Sequence, residues 1–364
     1  MQRFIDDLLV KRETCPVDNE YDGQKMGARI SAVFVILVGS AFGAFFPILS
    51  SRYSFIRLPS WCFFIAKYFG SGVIVATAFI HLLEPASDSL GEECLGGTFV
   101  EYPWAFGIAL MSLFAMFFIE LISFHYVDMK IEKESSDGHS HSHFGSSDMY
   151  LKKDESDEEE EIENKPTPQV NPYPQHFQHA AEHQDPEVLG TPVEDVNKEQ
   201  YYGQLLSVFI LEFGILFHSA FTGLALAVAG DEFVSLYIVL VFHQMFEGLG
   251  LGARIATIDW PKKRRWTPWF LALAYTLTTP IAISIGLGVR TSYPPGSRKA
   301  LITNGVCDSI AAGILFYSGI VELMAHEFLY SNQFKGPNGF RNIMAAFMVM
   351  CLGAGLMALL GKWA

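Results

Sequence analysis

The sequence predicts an all-α membrane protein with eight transmembrane helices. Half of the 364 residues are hydrophobic, and they gather in eight runs, each long enough to cross a hydrocarbon core about 30 Å thick. Core helices of a large soluble protein are the alternative, but the number, length and glycine content of the runs argue against it. The runs cover residues 29–51, 61–83, 103–127, 201–229, 233–254, 267–289, 301–328 and 341–361.

Basic residues in the short loops predict that both chain termini lie outside the cell. The first, fifth and seventh loops and their flanks hold Arg52, Arg57, Lys67, Lys262, Lys263, Arg264, Arg265, Lys335 and Arg341. The second and fourth loops contain no Lys or Arg, whereas the sixth and the N-terminal tail hold several. The positive-inside rule then places the odd-numbered loops in the cytoplasm. The expected order is an extracellular tail (1–28), helices 1–3 (29–127), a cytoplasmic loop (128–200), helices 4–8 (201–361) and an extracellular end (362–364).

Two of the five cysteines fall in segments expected to be extracellular, where disulfides persist. These are Cys15 and Cys94, and a bridge between them is a hypothesis that reduction and alkylation would test. Cys62, Cys307 and Cys351 lie in or beside the apolar runs, where cysteine is usually a packing residue.

The long loop is expected to be disordered, because it is rich in charge and proline. It contains an HxHxH tract (His139, His141 and His143), a second histidine group (His176, His179 and His183) and an acidic run. Histidine tracts of this kind bind Zn²⁺ loosely, so the loop is a candidate zinc-sensing or zinc-accepting segment. An unselective acidic linker is the alternative. Lysines at 152, 153 and 165 are weak candidates for attachment of ubiquitin.

Two histidines in neighbouring apolar runs indicate a buried metal site. His218 precedes Gly230 by 12 residues and His243 follows Asp231 by 12, so in an antiparallel hairpin both imidazoles reach nearly the same depth. Glu247 follows His243 by four residues and shares its helix face. Ionisable side chains at mid-membrane depth are costly, which makes this set a candidate site for a divalent cation.

The residue types favour Zn²⁺, Fe²⁺, Mn²⁺ or Cd²⁺, because imidazole and carboxylate are combined without a thiolate. A site that releases its ion suits fewer than four permanent protein ligands. Ser219 and Gln244 adjoin the two histidines and offer weak oxygens, and Thr222 lies one turn beyond His218. The expected ligand set is therefore His218, Ser219, His243, Gln244 and Glu247.

Other polar residues within the runs are candidates for the entrance or the exit of a metal path. His81, Glu84 and Asp308 lie near the predicted outer surface, where interfacial polar residues are the alternative interpretation. Glu322 and His326 lie toward the predicted inner surface. Glu212 lies off the His218 face, and either an exit role or a packing hydrogen bond would account for it.

Three classes of function fit these residues. A transporter is favoured, since the two histidines match in depth and the cytoplasmic flanks are basic. A zinc hydrolase in the membrane needs three fixed ligands, which His218, His243 and Glu247 would supply. A zinc receptor that works through the histidine loop is the third class. Neither an organic cofactor nor a nucleic-acid partner is expected.

The motifs HSxxxG at 218–223 and HQxxEG at 243–248 resemble the ZIP (Zrt- and Irt-like) family of divalent metal transporters. The stretches NEYDGQKMGARIS, KYFGSGVIVATAFIHL and LGKWA are similar to the fungal zinc-regulated subgroup. The resemblance implies a 3+2+3 inverted-repeat bundle and uptake of Zn²⁺ across the plasma membrane. It also implies that helices 4 and 5 move with helices 1 and 6 as an elevator against a homodimeric scaffold. Thr222 and the acid-free sixth run depart from relatives with two metal sites, so one main site is expected.

Overall fold

A computed structural model describes Cys15 and residues 25–53, 59–137, 193–290, 296–330, 334 and 337–363. Within these residues, eight helices are long and apolar enough to cross a membrane, as the sequence predicted. They are α1 (Met26–Arg52), α2 (Ser60–Gly91), α3 (Trp104–Asp137), α4 (Val193–Val228), α5 (Phe233–Thr257), α6 (Thr267–Val289), α7 (Arg298–Phe316, continued by Tyr317–Tyr330) and α8 (Gly339–Leu360). Parts of α2 (Thr77–Leu83) and α7 (Tyr317–Tyr330) are π-helical.

The helices that flank the long loop extend beyond their apolar runs. Helix α3 continues to Asp137 rather than ending at 127, and α4 begins at Val193 rather than at 201. Lys and Glu residues such as Lys130 and Lys133 are good helix formers, so the helix continues where hydropathy alone marks a boundary. The six histidines of the loop (His139, His141, His143, His176, His179 and His183) lie outside the described residues.

The helices pack in a pattern that repeats under one exchange of partners. Three pairs of helix contacts correspond to each other. The α1–α5 contact corresponds to α6–α4, the α2–α8 contact to α7–α3, and the α2–α5 contact to α7–α4. The exchange pairs α1 with α6, α2 with α7, α3 with α8 and α4 with α5. The sequence repeats with it, since FHSAFTGLALA (217–227) matches FHQMFEGLGLG (242–252). The two halves of the bundle are therefore related as an inverted pair.

The two ends of the bundle differ in composition. One end, here called the terminal end, holds the start of α1 and the end of α8, together with a disulfide between Cys15 and Cys94. Here the Arg298 guanidinium donates to the backbone oxygen of Leu95 at 2.6 Å. The opposite end, here called the basic end, holds Lys262, Lys263, Arg264 and Arg265 in the connection between α5 and α6.

Close backbone contact seals α2 against α5 toward the basic end. A Cβ atom built on Gly70 would lie 2.1 Å from the Cα of Gly250, a separation that no side chain permits. The two glycines thus let the helix backbones touch about one helical turn from Glu247, on the side of the basic end.

Candidate metal centre

The α4–α5 hairpin places His218 and His243 side by side in the interior. Helix α4 ends at Val228 and α5 begins at Phe233, so a short turn returns the chain antiparallel to itself. The imidazole centroids lie 5.5 Å apart, and the two residues are only 3% and 2% exposed. The matching distance of each histidine from the turn therefore brings the rings together, as expected from a rise of about 1.5 Å per residue.

A buried arginine fixes the turn of this hairpin. The Arg29 guanidinium donates to the backbone oxygens of Ala227 at 3.0 Å and Ala229 at 2.6 Å. It also lies 4.4 Å from the ring centroid of Phe233, the first residue of α5. Carbonyl oxygens at a helix C-terminus attract a cation, so Arg29 caps α4 and joins it to α1 and α5.

Glu247 lies beside His243, and each side chain has buried polar atoms without a hydrogen-bond partner among the described residues. His243 Nε2 and Glu247 Oε2 are 3.7 Å apart, beyond hydrogen-bonding distance. In the part of the chain that the structure describes, His243 Nε2 and both Glu247 carboxylate oxygens have no hydrogen-bond partner. Glu247 is fully buried. Since buried polar groups are normally paired, a divalent cation between the two side chains would supply what each lacks.

The expected ligands are neighbours rather than a closed coordination sphere. Among the described residues, no three His, Cys, Asp or Glu side chains are arranged to hold a metal ion as they stand. Thr222 Oγ1 lies 3.2 Å from His218 Nδ1 and donates to the His218 backbone oxygen at 3.1 Å. The hydroxyl thus supports the His218 ring from the next turn of α4.

Ser219 and Gln244, the other two expected ligands, contact each other and helix α6. Gln244 Nε2 donates to Ser219 Oγ at 3.2 Å and to Thr279 Oγ1 at 2.5 Å. Gln244 Oε1 accepts from the Tyr275 hydroxyl at 2.6 Å. Tyr275 and Thr279 were missed by sequence reasoning, although a group of hydroxyl residues in an otherwise apolar run was a signal for them.

A cavity of about 190 Å³ leads from the two histidines to the terminal end. His81 of α2 lines it, with its ring edge-on to His243 at a centroid distance of 4.8 Å. His81 Nε2 donates to the Met357 backbone oxygen at 3.0 Å, which leaves Nδ1 to other partners. Glu84 and Asp308 line the same cavity. The three residues expected at an entrance therefore share one cavity with the two histidines.

The three residues expected at an exit do not line this cavity. Glu212 is buried in α4, and neither of its carboxylate oxygens has a hydrogen-bond partner in the described part of the chain. Glu322 lies in the π-helical part of α7, within hydrogen-bonding reach of Glu120, which also accepts from the Tyr317 hydroxyl. His326 lies in the same π-helical part, one residue before Glu327.

A group of three charged side chains joins α2, α5 and α7 near the basic end. The Glu327 carboxylate pairs with both Lys67 and Arg254. Both basic residues are mostly buried, with 19% and 12% of their side chains exposed. Sequence reasoning noted Lys67 only as a basic flank and did not connect these residues, because nothing in their spacing shows that three distant helices meet there.

Comparison with known proteins identifies the family of this chain. The ZIP Zinc transporter family model matches residues 26–361. The chain belongs to the ZIP zinc transporter family. It is 51% identical to Zinc-regulated transporter 2 of Saccharomyces cerevisiae, over 97% of each protein. It is 44% identical to Zinc-regulated transporter 1 of the same yeast, over 95% of this chain and 89% of the relative.

A plant relative is more distant but matches over a similar length. Zinc transporter 3 of Arabidopsis thaliana is 30% identical over 96% of this chain and 90% of the relative. Membership makes this ZIP protein a multi-pass membrane transporter with Zn²⁺ as its substrate, rather than an enzyme.

Proposed function

We propose that this ZIP protein imports Zn²⁺ into the cytosol across the plasma membrane, through a site formed by His218, His243 and Glu247. One observation carries the site: the unpaired His243 Nε2 and Glu247 carboxylate are buried next to the floor of a cavity that opens at one end. Imidazole and carboxylate suit Zn²⁺, and Fe²⁺, Cd²⁺ and Mn²⁺ fit the same ligand types.

The distribution of charge supports the orientation of the protein in the membrane that import requires. The basic end carries Lys262–Arg265, and short basic loops face the cytoplasm. The terminal end, the cavity and both termini then face the outside. A partly hydrated ion enters past Glu84 and Asp308, meets His81, and exchanges water for His218, His243 and Glu247.

The packing pattern supports an elevator movement of one helix group. Helices α1, α4, α5 and α6 are joined by the α1–α5, α4–α6 and α1–α6 contacts, whereas α2 with α8 and α3 with α7 form the other group. We take the second group as a scaffold that forms a homodimer. In support, α3 and α8 bury the smallest share of their apolar spans, 17% and 22%.

Uptake of ⁶⁵Zn²⁺ in cells without their own zinc importers tests the site. The His243→Ala variant is compared with the unmodified chain at matched surface expression. His125→Ala is the control, because His125 is exposed on α3, away from the cavity. Saturable uptake that His243→Ala abolishes and His125→Ala preserves is expected. Normal uptake by His243→Ala would refute the site, and net efflux from preloaded cells would refute the direction.

A further inference from the structure

Gln244 joins three helices directly behind the two metal-site histidines. Its side-chain nitrogen donates to Ser219 of α4 and Thr279 of α6, and its oxygen accepts from Tyr275 of α6. All four residues are fully buried. These four side chains, the Gln244 network, therefore link α4, α5 and α6 at the depth of the site.

The side-chain amide of Gln244 has hydrogen-bond partners at both ends inside the protein. A primary amide has two N–H donors and a carbonyl oxygen with two lone pairs. Both donors have an acceptor here, and the oxygen shares the Tyr275 hydroxyl proton with the Gln244 backbone oxygen. Rotating the amide to direct its oxygen at a cation would break these buried bonds, which favours a positioning role for Gln244 over direct binding of the ion.

The last residue of each sequence motif makes room for this network. A Cβ atom on Gly223 would lie 2.9 Å from the Thr279 backbone oxygen, and one on Gly248 would lie 2.8 Å from Tyr275 Cε1. Both glycines are five residues beyond their histidine. Helix α6 therefore contacts α4 and α5 at glycines that occupy the same position in the two motifs. A side chain at either glycine would push α6 away.

We propose that the Gln244 network sets the separation of His218 and His243, and thereby the size of divalent ion that the site accepts. Ser219 and Gln244 directly follow the two histidines, so a bond between them fixes the backbones that carry the rings. In this role Ser219, Gln244, Tyr275 and Thr279 are positioning residues. The inference rests on the proposed His218–His243–Glu247 site. Zn²⁺ needs ligand nitrogens at about 2.0–2.1 Å, whereas the larger Cd²⁺ tolerates a wider pair.

The test is the selectivity between Cd²⁺ and Zn²⁺, measured as the ratio of Vmax/KM for ¹⁰⁹Cd²⁺ and ⁶⁵Zn²⁺ uptake. Thr279→Val removes one hydroxyl of the network at nearly constant volume. Thr276→Val is the matched control, since the Thr276 hydroxyl donates to the Ala272 backbone oxygen of its own helix at 2.7 Å and is also buried. Loss of one buried hydrogen bond is expected to shift the ratio toward Cd²⁺ by about fivefold. Thr276→Val should leave the ratio unchanged.

Two further variants keep the test decisive. Thr279→Ser retains the hydroxyl and should restore the original ratio, while Tyr275→Phe should shift it in the same direction as Thr279→Val. Equal losses for both ions in Thr279→Val and Tyr275→Phe would mean a general structural role and overturn the proposal. The proposal also fails if Gln244→Leu abolishes uptake of both ions while Thr279→Val leaves the ratio unchanged, because Gln244 would then act as a ligand. Normal Zn²⁺ uptake by His243→Ala would instead refute the site itself.

Discussion

The two sides of the His218–His243 pair are built differently. Toward the terminal end the helices separate around a cavity lined by His81, Glu84 and Asp308. Toward the basic end, α2 and α5 touch at Gly70 and Gly250, and Glu327 holds Lys67 and Arg254. The open side presents side chains of the types that attract a metal ion, whereas buried ion pairs join the helices of the closed side. Under the alternating access that we propose, this difference describes one of its two states.

Removing the carboxylate between the two sides should have the largest effect. Glu247→Ala deletes the carboxylate of the proposed site beside His243, so ⁶⁵Zn²⁺ uptake should be lost while the protein still reaches the membrane. Surface biotinylation would confirm delivery. Glu101→Ala is the control, because Glu101 is exposed at the end of a short helix, Thr98–Glu101, between α2 and α3. Normal transport by Glu247→Ala would show that the ion does not pass between the two sides at this point.

Weakening the closed side should shift the balance between the two states. Glu327→Gln removes the anion that Lys67 and Arg254 share, so the basic end should open more often. Buried Ala253, beside Arg254, supplies the readout. With Cys62, Cys307 and Cys351 replaced by Ala, an Ala253→Cys reporter should react about tenfold faster with a thiol reagent applied from the basic end, as loss of a charge-assisted hydrogen bond implies.

The same reporter with glutamate at 327 is the reference. An unchanged rate in Glu327→Gln would show that the ion pairs do not hold this end closed. Because Glu327 pairs with two cations, the full reverse arrangement is Lys67→Glu and Arg254→Glu with Glu327→Arg. It should bring the rate back toward the reference if the pairing itself is what matters.

Changing the open side should have the smallest effect. His81 lines the cavity and contacts His243, but the two His218 and His243 rings lie deeper. His81→Ala should therefore raise the KM for Zn²⁺ by a few fold, roughly the effect of one weak interaction, and leave Vmax nearly unchanged. A loss of Vmax with unchanged KM would place His81 in the transport step rather than in capture.

The sequence predicted the eight helices and the proximity of His218 and His243, because both depend on short-range spacing. Eight apolar runs became eight helices, and equal distances from a tight turn brought His218 and His243 together. Glu247 followed from one helical turn. These are local patterns, and local geometry is what a single sequence expresses most directly.

The contacts between distant helices were not predictable in the same way. The Gln244 partners Tyr275 and Thr279 lie 31 and 35 residues away along the chain, and Glu327 lies 73 residues from Arg254. Which faces meet depends on packing, such as the approach that Gly70 and Gly250 allow. The helix ends at Asp137 and Val193 were missed for a different reason, since they follow helix propensity rather than hydropathy.

The repeated segments FHSAFTGLALA (217–227) and FHQMFEGLGLG (242–252) differ at one position that matters for charge. Thr222 stands in the first copy where Glu247 stands in the second, so only the second copy carries a carboxylate. With Zn²⁺ held by an ionised Glu247 and two neutral imidazoles, the proposed loaded site carries one positive charge. A membrane potential of 100 mV, negative inside, acts on each unit charge with about 2.3 kcal/mol. Under the proposed route, the voltage pulls the loaded site inward. The one unmatched carboxylate thus halves, rather than cancels, the ionic charge on which the electric field acts in the loaded state.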